Sequence, residues 1–63
     1  MTMAKQYLSP ADLAERYGLP LNTVYHWNYT GAGPRFLKLG NHVRYRLEDV
    51  EAWEEDRMEE PRR

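Results

Sequence analysis

Apolar residues recur every three or four positions in three stretches of the chain, which is the spacing of one helix face. The predicted helices cover residues 10–17, 21–30 and about 47–58. Between the second and third helices, apolar and basic residues alternate, which indicates strands. The apolar helical positions are Leu13 and Tyr17, Val24 and Trp27, and Leu47, Val50 and Trp53.

Local signals fix the ends of the first helix and the start of the second. Ser9 can cap free backbone N–H groups, Pro10 suits the first turn, and Asp12 adds an acid near the positive helix end. Gly18 favours the left-handed conformation that ends a helix. Pro20 cannot continue the first helix but can begin the second. Two short helices joined by a turn that contains Gly predict a helix-turn-helix.

Residues 35–39 and 43–46 are predicted to form a hairpin around a turn at residues 40–42. Phe36 falls on the basic side of this pattern, so it either folds back onto the core or stacks on a partner. The predicted fold is α+β, a winged helix-turn-helix with three short helices and a two-stranded hairpin wing. Strict alternation places Leu37, Leu39, Val43 and Tyr45 on one face and Lys38, Arg44 and Arg46 on the other.

With 63 residues the chain can form one domain, for which we expect an ordered core over residues 7–58 and flexible ends. Such a chain buries only about 60% of its unfolded surface, so its core must depend on large rings. There is no Cys and no apolar run near the ~20 residues of a membrane span, so we expect a soluble intracellular protein. The rings available to the core are Tyr7, Tyr17, Trp27, Phe36, Tyr45 and Trp53.

The net charge of −1 conceals a strong segregation of charge along the chain. Residues 20–46 contain no Asp or Glu, and residues 19–46 carry a net charge of +4. Residues 47–63 carry a net charge of −5. A basic hairpin beside an acid-free helix is typical of nucleic-acid binding. The second helix would turn Asn22, Thr23, Tyr25, His26 and Tyr29 outward, and none of these side chains would repel DNA.

The sequence gives little support for a metal site, an enzyme or a bound cofactor. His26 and His42 lack a nearby third ligand of suitable type, so we expect no metal site. The chain shows no nucleophile–base pair and no phosphate-binding loop, so we expect neither an enzyme nor a cofactor. The acidic run of the third helix and tail is interpreted as a solvated or protein-docking face; it comprises Glu54, Glu55, Asp56, Glu59 and Glu60.

These motifs together resemble the small MerR-like winged-helix proteins. LSPADLAERYG at residues 8–18 resembles their opening helix, and TVYHW at residues 23–27 their recognition helix. The wing of these proteins resembles residues 33–40 (GPRFLKLG) and 43–46 (VRYR) of this chain. The start of the helix that follows their wing resembles residues 48–53 (EDVEAW). Within that superfamily the chain most resembles phage excisionases, also called recombination directionality factors. We expect no attached effector domain, and the short length agrees with that resemblance.

The resemblance implies a protein of the bacterial cytoplasm that binds repeated sites in phage attachment DNA and bends them. It would help a tyrosine integrase to excise the prophage and would oppose integration. Many relatives have a capping residue at position 20 and Arg at positions 21 and 22, so base readout here would depend more on shape and apolar contact. Major-groove contacts would come from Leu21, Asn22, Thr23, Tyr25 and His26, and backbone or minor-groove contacts from Lys38, Asn41, His42, Arg44 and Arg46. Tyr29 and Arg35 are further candidate DNA-binding residues.

The small area that one such module buries on DNA, and the unlike charges of the basic middle and the acidic third helix, predict that the protein is monomeric when free and binds adjacent DNA sites as a head-to-tail array. The resemblance implies the same arrangement. The wing side of one copy would contact the acidic third helix or tail of the next. Two other interpretations remain open at the level of sequence. One is a small transcriptional regulator with the same fold. The other is a protein-interaction module that uses the acidic third helix and has no role on DNA.

Overall fold

A computed structural model describes residues 6–59 and confirms the winged helix-turn-helix fold. The ends that we expected to be flexible are residues 1–6 and 59–63, and all of them except Gln6 and Glu59 lie outside the described residues. The third helix ends two residues before the predicted Met58. In chain order the elements are β1 (Tyr7–Leu8), α1 (Pro10–Tyr17), α2 (Leu21–Thr30), β2 (Leu37–Leu39), β3 (His42–Arg46) and α3 (Leu47–Asp56).

The predicted capping of α1 is confirmed. The Asp12 backbone N–H donates to Ser9 Oγ, and the Ser9 backbone N–H donates to Asp12 Oδ2, both at 3.0 Å. This reciprocal capping box satisfies two N–H groups that the helix itself leaves free. Gly18 ends the helix with φ of 66°, and Pro20 immediately precedes α2. The turn between the two helices is therefore fixed by residues of the turn itself.

The wing belongs to a three-stranded antiparallel sheet rather than to an isolated hairpin. The strand order is β1-β3-β2, with Leu8 opposite Tyr45. Beyond that pairing, the Leu47 backbone N–H donates to the Gln6 carbonyl at 2.8 Å. The chain just before α1 thus anchors the inner strand of the wing at its junction with α3.

The predicted faces of the hairpin are wrong, because the turn is one residue shorter than expected. Gly40 and Asn41 form a two-residue loop, and Leu39 pairs with His42. Directly opposed residues of an antiparallel pair share a face, and a slip of one residue exchanges the faces. Leu37 and Leu39 therefore lie with His42, Arg44 and Arg46, whereas Lys38 lies with Val43 and Tyr45.

The core is smaller and less aromatic than predicted. Tyr7 is 49% exposed and Phe36 is 39% exposed, so neither belongs to it. Phe36 nevertheless folds back, because its ring meets Tyr45 edge-on with centroids 6.0 Å apart. Tyr17, Trp27 and Trp53 form a half-buried aromatic cluster beside the core. The buried hydrophobic core comprises Leu13, Ala14, Val24, Tyr45 and Val50, contributed by α1, α2, β3 and α3.

Candidate nucleic-acid interface

The outward face of α2 carries neutral side chains. Val24 is fully buried and Trp27 half-buried, so this side of the helix faces the domain as predicted. Thr23 is half-buried at the border between the two faces. Tyr29 is 90% exposed near the end of the helix. The exposed residues available to a partner are Leu21, Asn22, Tyr25, His26 and Tyr29.

One hydrogen bond connects α2 to the wing. The Tyr45 hydroxyl, on β3, donates to Asn28 Oδ1 at 2.6 Å. Burial raises the pKa of Tyr45, so the hydroxyl stays protonated and remains a donor at neutral pH. The bond helps to set the angle between α2 and the wing. No local pattern in the sequence marks Asn28, because its partner is 17 residues away.

The loop after α2 is held by α3. The Ala32 carbonyl accepts from Trp53 Nε1 at 3.0 Å and from Arg57 Nη2 at 2.9 Å. The Arg57 guanidinium also lies 4.9 Å from the centre of the Trp53 ring. A Cβ at Gly33 would lie 3.0 Å from Trp27 Cβ, so a side chain at this position would press against Trp27. These contacts therefore fix the course of the chain between α2 and the wing.

A second contact joins α1 to α3. Arg16 makes a two-pronged ion pair with Glu54, and the Tyr17 hydroxyl donates to the same carboxylate. The hydrogen bond from Arg16 lowers the pKa of Glu54, while burial, followed by the Glu54 contact, raises the pKa of Tyr17 to about 12. At neutral pH the carboxylate is therefore ionised and the phenol neutral, as the contact requires. Glu54 is engaged within the domain, unlike the exposed acids Glu55 and Asp56.

The wing cations lie on two faces rather than one. Lys38 is exposed on the face that also carries Tyr45, the residue bonded to α2. Arg44 lies on the opposite face, half-buried, and its Nη1 donates to the neighbouring Val43 carbonyl at 2.7 Å. Leu39 lies on the Arg44 face and is 56% exposed. A partner that touches both cations must therefore meet the wing along its edge or tip.

Arg46 is already engaged by carboxylates of its own chain. Its Nε donates to Asp49 Oδ2 at 2.9 Å, and its Nη1 lies 3.7 Å from Glu48 Oε2. The hydrogen bond to Asp49, and then the nearby charges of Asp49 and Glu48, raise the pKa of Arg46. Because Arg46 immediately precedes α3, these contacts help to set the start of that helix. Its charge is less available to an outside anion than the charge of Lys38.

The remaining predicted wing residues lie at the tip and the entrance of the hairpin. Asn41 is in the two-residue loop, and His42 is the first residue of β3; both are exposed. Gly40 has a φ of 65°, which residues with a side chain rarely adopt. Because glycine adopts it readily, the hairpin can close with a loop of only two residues. Arg35 is exposed just before β2. The predicted site residues thus form two groups, one on α2 and one on the wing.

Residues 7–58 match the family model described as a helix-turn-helix domain. The chain belongs to the helix-turn-helix domain family. No curated protein shows a significant match to it. The family includes excisionase-like DNA-binding proteins and is typically non-enzymatic. Sequence-specific DNA binding, with DNA as the partner, is thereby supported for this helix-turn-helix protein.

Two further observations complete the description of this helix-turn-helix domain. Within residues 6–59, no three His, Asp or Glu side chains are grouped so that they could hold a metal ion. None of the helices in that range is long and apolar enough to cross a membrane.

Proposed function

We propose that this helix-turn-helix protein is an excisionase of a site-specific recombination system. It binds repeated sites in attachment DNA, bends them, and directs a tyrosine integrase toward excision and against integration. The match over residues 7–58 to a family that includes excisionase-like proteins supports the proposal. The helix, wing and third-helix motifs resemble those of the small MerR-like winged-helix proteins, and the excisionases of that superfamily are proteins of similarly short length.

The proposal assigns a separate role to each of the two groups of site residues. The α2 group enters the major groove, where base edges can be distinguished. The wing group contacts phosphates or the minor groove and fixes position without reading sequence. The α2 group is Leu21, Asn22, Thr23, Tyr25, His26 and Tyr29; the wing group is Arg35, Lys38, Asn41, His42, Arg44 and Arg46.

The observation that carries the DNA part of the proposal is the absence of carboxylates from both groups. Residues 20–46 contain α2 and the wing, and none of them is Asp or Glu. The cations of this stretch lie in the wing, while α2 is neutral. A DNA duplex carries one negative charge per ~1.7 Å of its axis, so even one carboxylate at the contact would be repelled.

A footprint across the genomic neighbourhood of the gene tests the proposal. We expect protection of several sites in attachment DNA, and faster excision with slower integration when the protein is added to purified integrase. Protection confined to promoter DNA, with no effect on either reaction, would instead identify a small transcriptional regulator. Failure to bind any duplex at low salt would favour the protein-interaction module.

We further propose that copies bind adjacent DNA sites head-to-tail, through the wing side of one and the acidic α3 surface of the next. The Glu54 carboxylate accepts hydrogen bonds from Arg16 and Tyr17 of its own chain, so we leave it out of the proposed contact between copies. The exposed acids Glu55 and Asp56 remain available on α3. Unlike surfaces that meet head-to-tail form an open array unless their rotation closes.

The Glu55→Gln variant tests the array. We expect cooperativity between neighbouring sites to fall about 2- to 5-fold, the effect of one exposed charge pair, with single-site affinity unchanged. Gel shifts on one-site and three-site DNA measure both quantities. Glu15→Gln removes the same charge from the exposed surface of α1 and serves as the control. Independent filling of three sites by the unmodified protein would contradict the array.

A further inference from the structure

The recognition helix α2 contains no charged residue. Its ten residues, Leu21–Thr30, read LNTVYHWNYT. The commonest specific contact in the major groove is a two-pronged hydrogen bond from Arg or Lys to the O6 and N7 atoms of guanine. No residue of α2 can make that contact, because the cations of this region are all in the wing. The helix must read bases by another chemistry.

Asn22 provides the hydrogen-bonding part of that chemistry. The N-terminal residues of a recognition helix are those that reach base edges, and Asn22 is the second residue of α2. Its amide is exposed and bonds to no other residue among those the structure describes. Asn28 differs, because its oxygen is occupied by Tyr45. A free amide presents an acceptor and a donor side by side, which matches the N6–H and N7 groups of adenine.

Leu21 and Tyr25 provide an apolar surface beside this amide. They lie four residues apart, on one side of Asn22, and both are exposed. One exposed leucine carries little information by itself, because folded proteins expose much apolar area. Here the leucine opens the recognition helix and is followed one turn later by an aromatic ring. In the major groove the matching apolar group is the C5-methyl of thymine.

We infer that α2 reads adenine–thymine base pairs, with the Asn22 amide on adenine and the Leu21 side chain against a thymine methyl group. The inference rests on the proposed binding of α2 in the major groove. The wing cations supply affinity that does not depend on sequence, and the neutral helix supplies selection. The core of the binding site is therefore rich in A·T pairs.

Site selection from a randomised duplex pool, followed by single-atom changes in the selected site, tests this inference. Replacing thymine by uracil removes only the methyl group, and replacing adenine by 7-deazaadenine removes only the N7 acceptor. We expect 7-deazaadenine at the contacted position to weaken the unmodified protein by about 5- to 100-fold, the range for one good base contact. Uracil should weaken it by a smaller factor, about 3- to 10-fold, because one methyl contact is lost.

Variants then connect each DNA atom to a side chain. Asn22→Ala should bind the normal and the 7-deazaadenine sites equally, and Leu21→Ala should bind the thymine and uracil sites equally. Such loss of sensitivity is the signature of a direct pair in a double-mutant cycle. Asn41→Ala and Leu39→Ala remove the same side-chain types from the wing, and both should keep the sensitivity of the unmodified protein. All four positions are exposed, so melting temperatures should stay unchanged.

Two results would overturn the inference. One is a selected site whose core is rich in G·C pairs, which would transfer readout to His26, an exposed α2 side chain able to donate to guanine. The other is full sensitivity to uracil and 7-deazaadenine in Leu21→Ala and Asn22→Ala, respectively. The proposed function fails on different results. An A·T-rich site found only in promoters removes the excisionase role and leaves this inference standing, whereas a pool with no enriched site removes both.

Discussion

The Trp53→Ala variant should lose about 3–5 kcal/mol of unfolding free energy, the range for truncating a large ring in a core. A chain of this length has a total stability of roughly 3–9 kcal/mol at the usual value per residue. The loss would remove roughly a third or more of that stability, so we expect a larger unfolded fraction at 37 °C and weaker specific DNA binding. Urea unfolding followed by circular dichroism measures the loss.

The size of this effect follows from the number of contacts that end at one ring. Trp53 lies 5.2 Å from Trp27 and 6.0 Å from Tyr17, measured between ring centres. Its indole N–H also holds the Ala32 carbonyl, which accepts from Arg57 as well. Truncation would open a cavity between α1, α2 and α3 and release the start of the wing. The ring is half-buried, so the lower end of the range is the better expectation.

Two controls separate these contributions. Trp53→Phe keeps an aromatic ring but removes the N–H donor, so it should cost less than alanine and loosen mainly the loop at Ala32. Met58→Ala, at a position 65% exposed just after α3, should change stability by less than about 0.5 kcal/mol. A Trp53→Ala protein with the denaturation midpoint of the unmodified chain would show that α3 is dispensable for folding.

The helices were predictable because their signals are local. Ser9, Asp12 and Gly18 mark both ends of α1 within a few residues, and the structure confirms all three roles. The outward face of α2 followed from two inward-facing positions three residues apart, Val24 and Trp27. Helix α3 ends two residues before the predicted position. That end was hard to predict, because no Gly marks it and the acidic sequence continues without a break.

The hairpin was less predictable because its faces depend on the length of one turn. Gly40, Asn41 and His42 are all compatible with a turn, and alternation alone does not decide between a loop of two residues and one of three. A loop of three residues would place the apolar residues of both strands on one face of the hairpin, which is the arrangement that we predicted. The two-residue loop instead leaves Leu37 and Leu39 exposed beside Arg44, a combination that a sequence pattern would not favour.

Contacts between distant residues account for what else was missed. Strand β1 has two residues, too few to show alternation, and it exists because β3 offers it an edge. Glu54 was grouped with the acidic surface, although Arg16 and Tyr17 bind it across 38 and 37 residues. Asn28 looked like one more polar residue of α2. In each case the partner, rather than the residue type, determines the role.

The charge reversal Arg44→Glu should weaken binding to specific and random duplex alike, because we propose that this wing cation contacts phosphate rather than bases. We expect the slope of log affinity against log salt to shrink by ~1, the value for one lost phosphate contact. At low salt the total loss should be larger than for neutral Arg44→Gln, because a carboxylate also repels the backbone. Fluorescence anisotropy titrations between 50 and 300 mM salt would measure both quantities.

The observed pairing of β2 with β3 shows which wing residues can serve as controls for the Arg44→Glu variant. Leu39→Ala changes the same wing face without changing charge, so its salt slope should equal that of the unmodified protein. Lys38→Glu probes the opposite face, and a loss similar to that of Arg44→Glu would mean that the wing enters the DNA edge-on. Arg46→Gln should reduce the slope least, because Asp49 and Glu48 already neutralise that guanidinium. A slope unchanged in Arg44→Glu but reduced in Lys38→Glu would assign phosphate binding to the face nearest α2 alone.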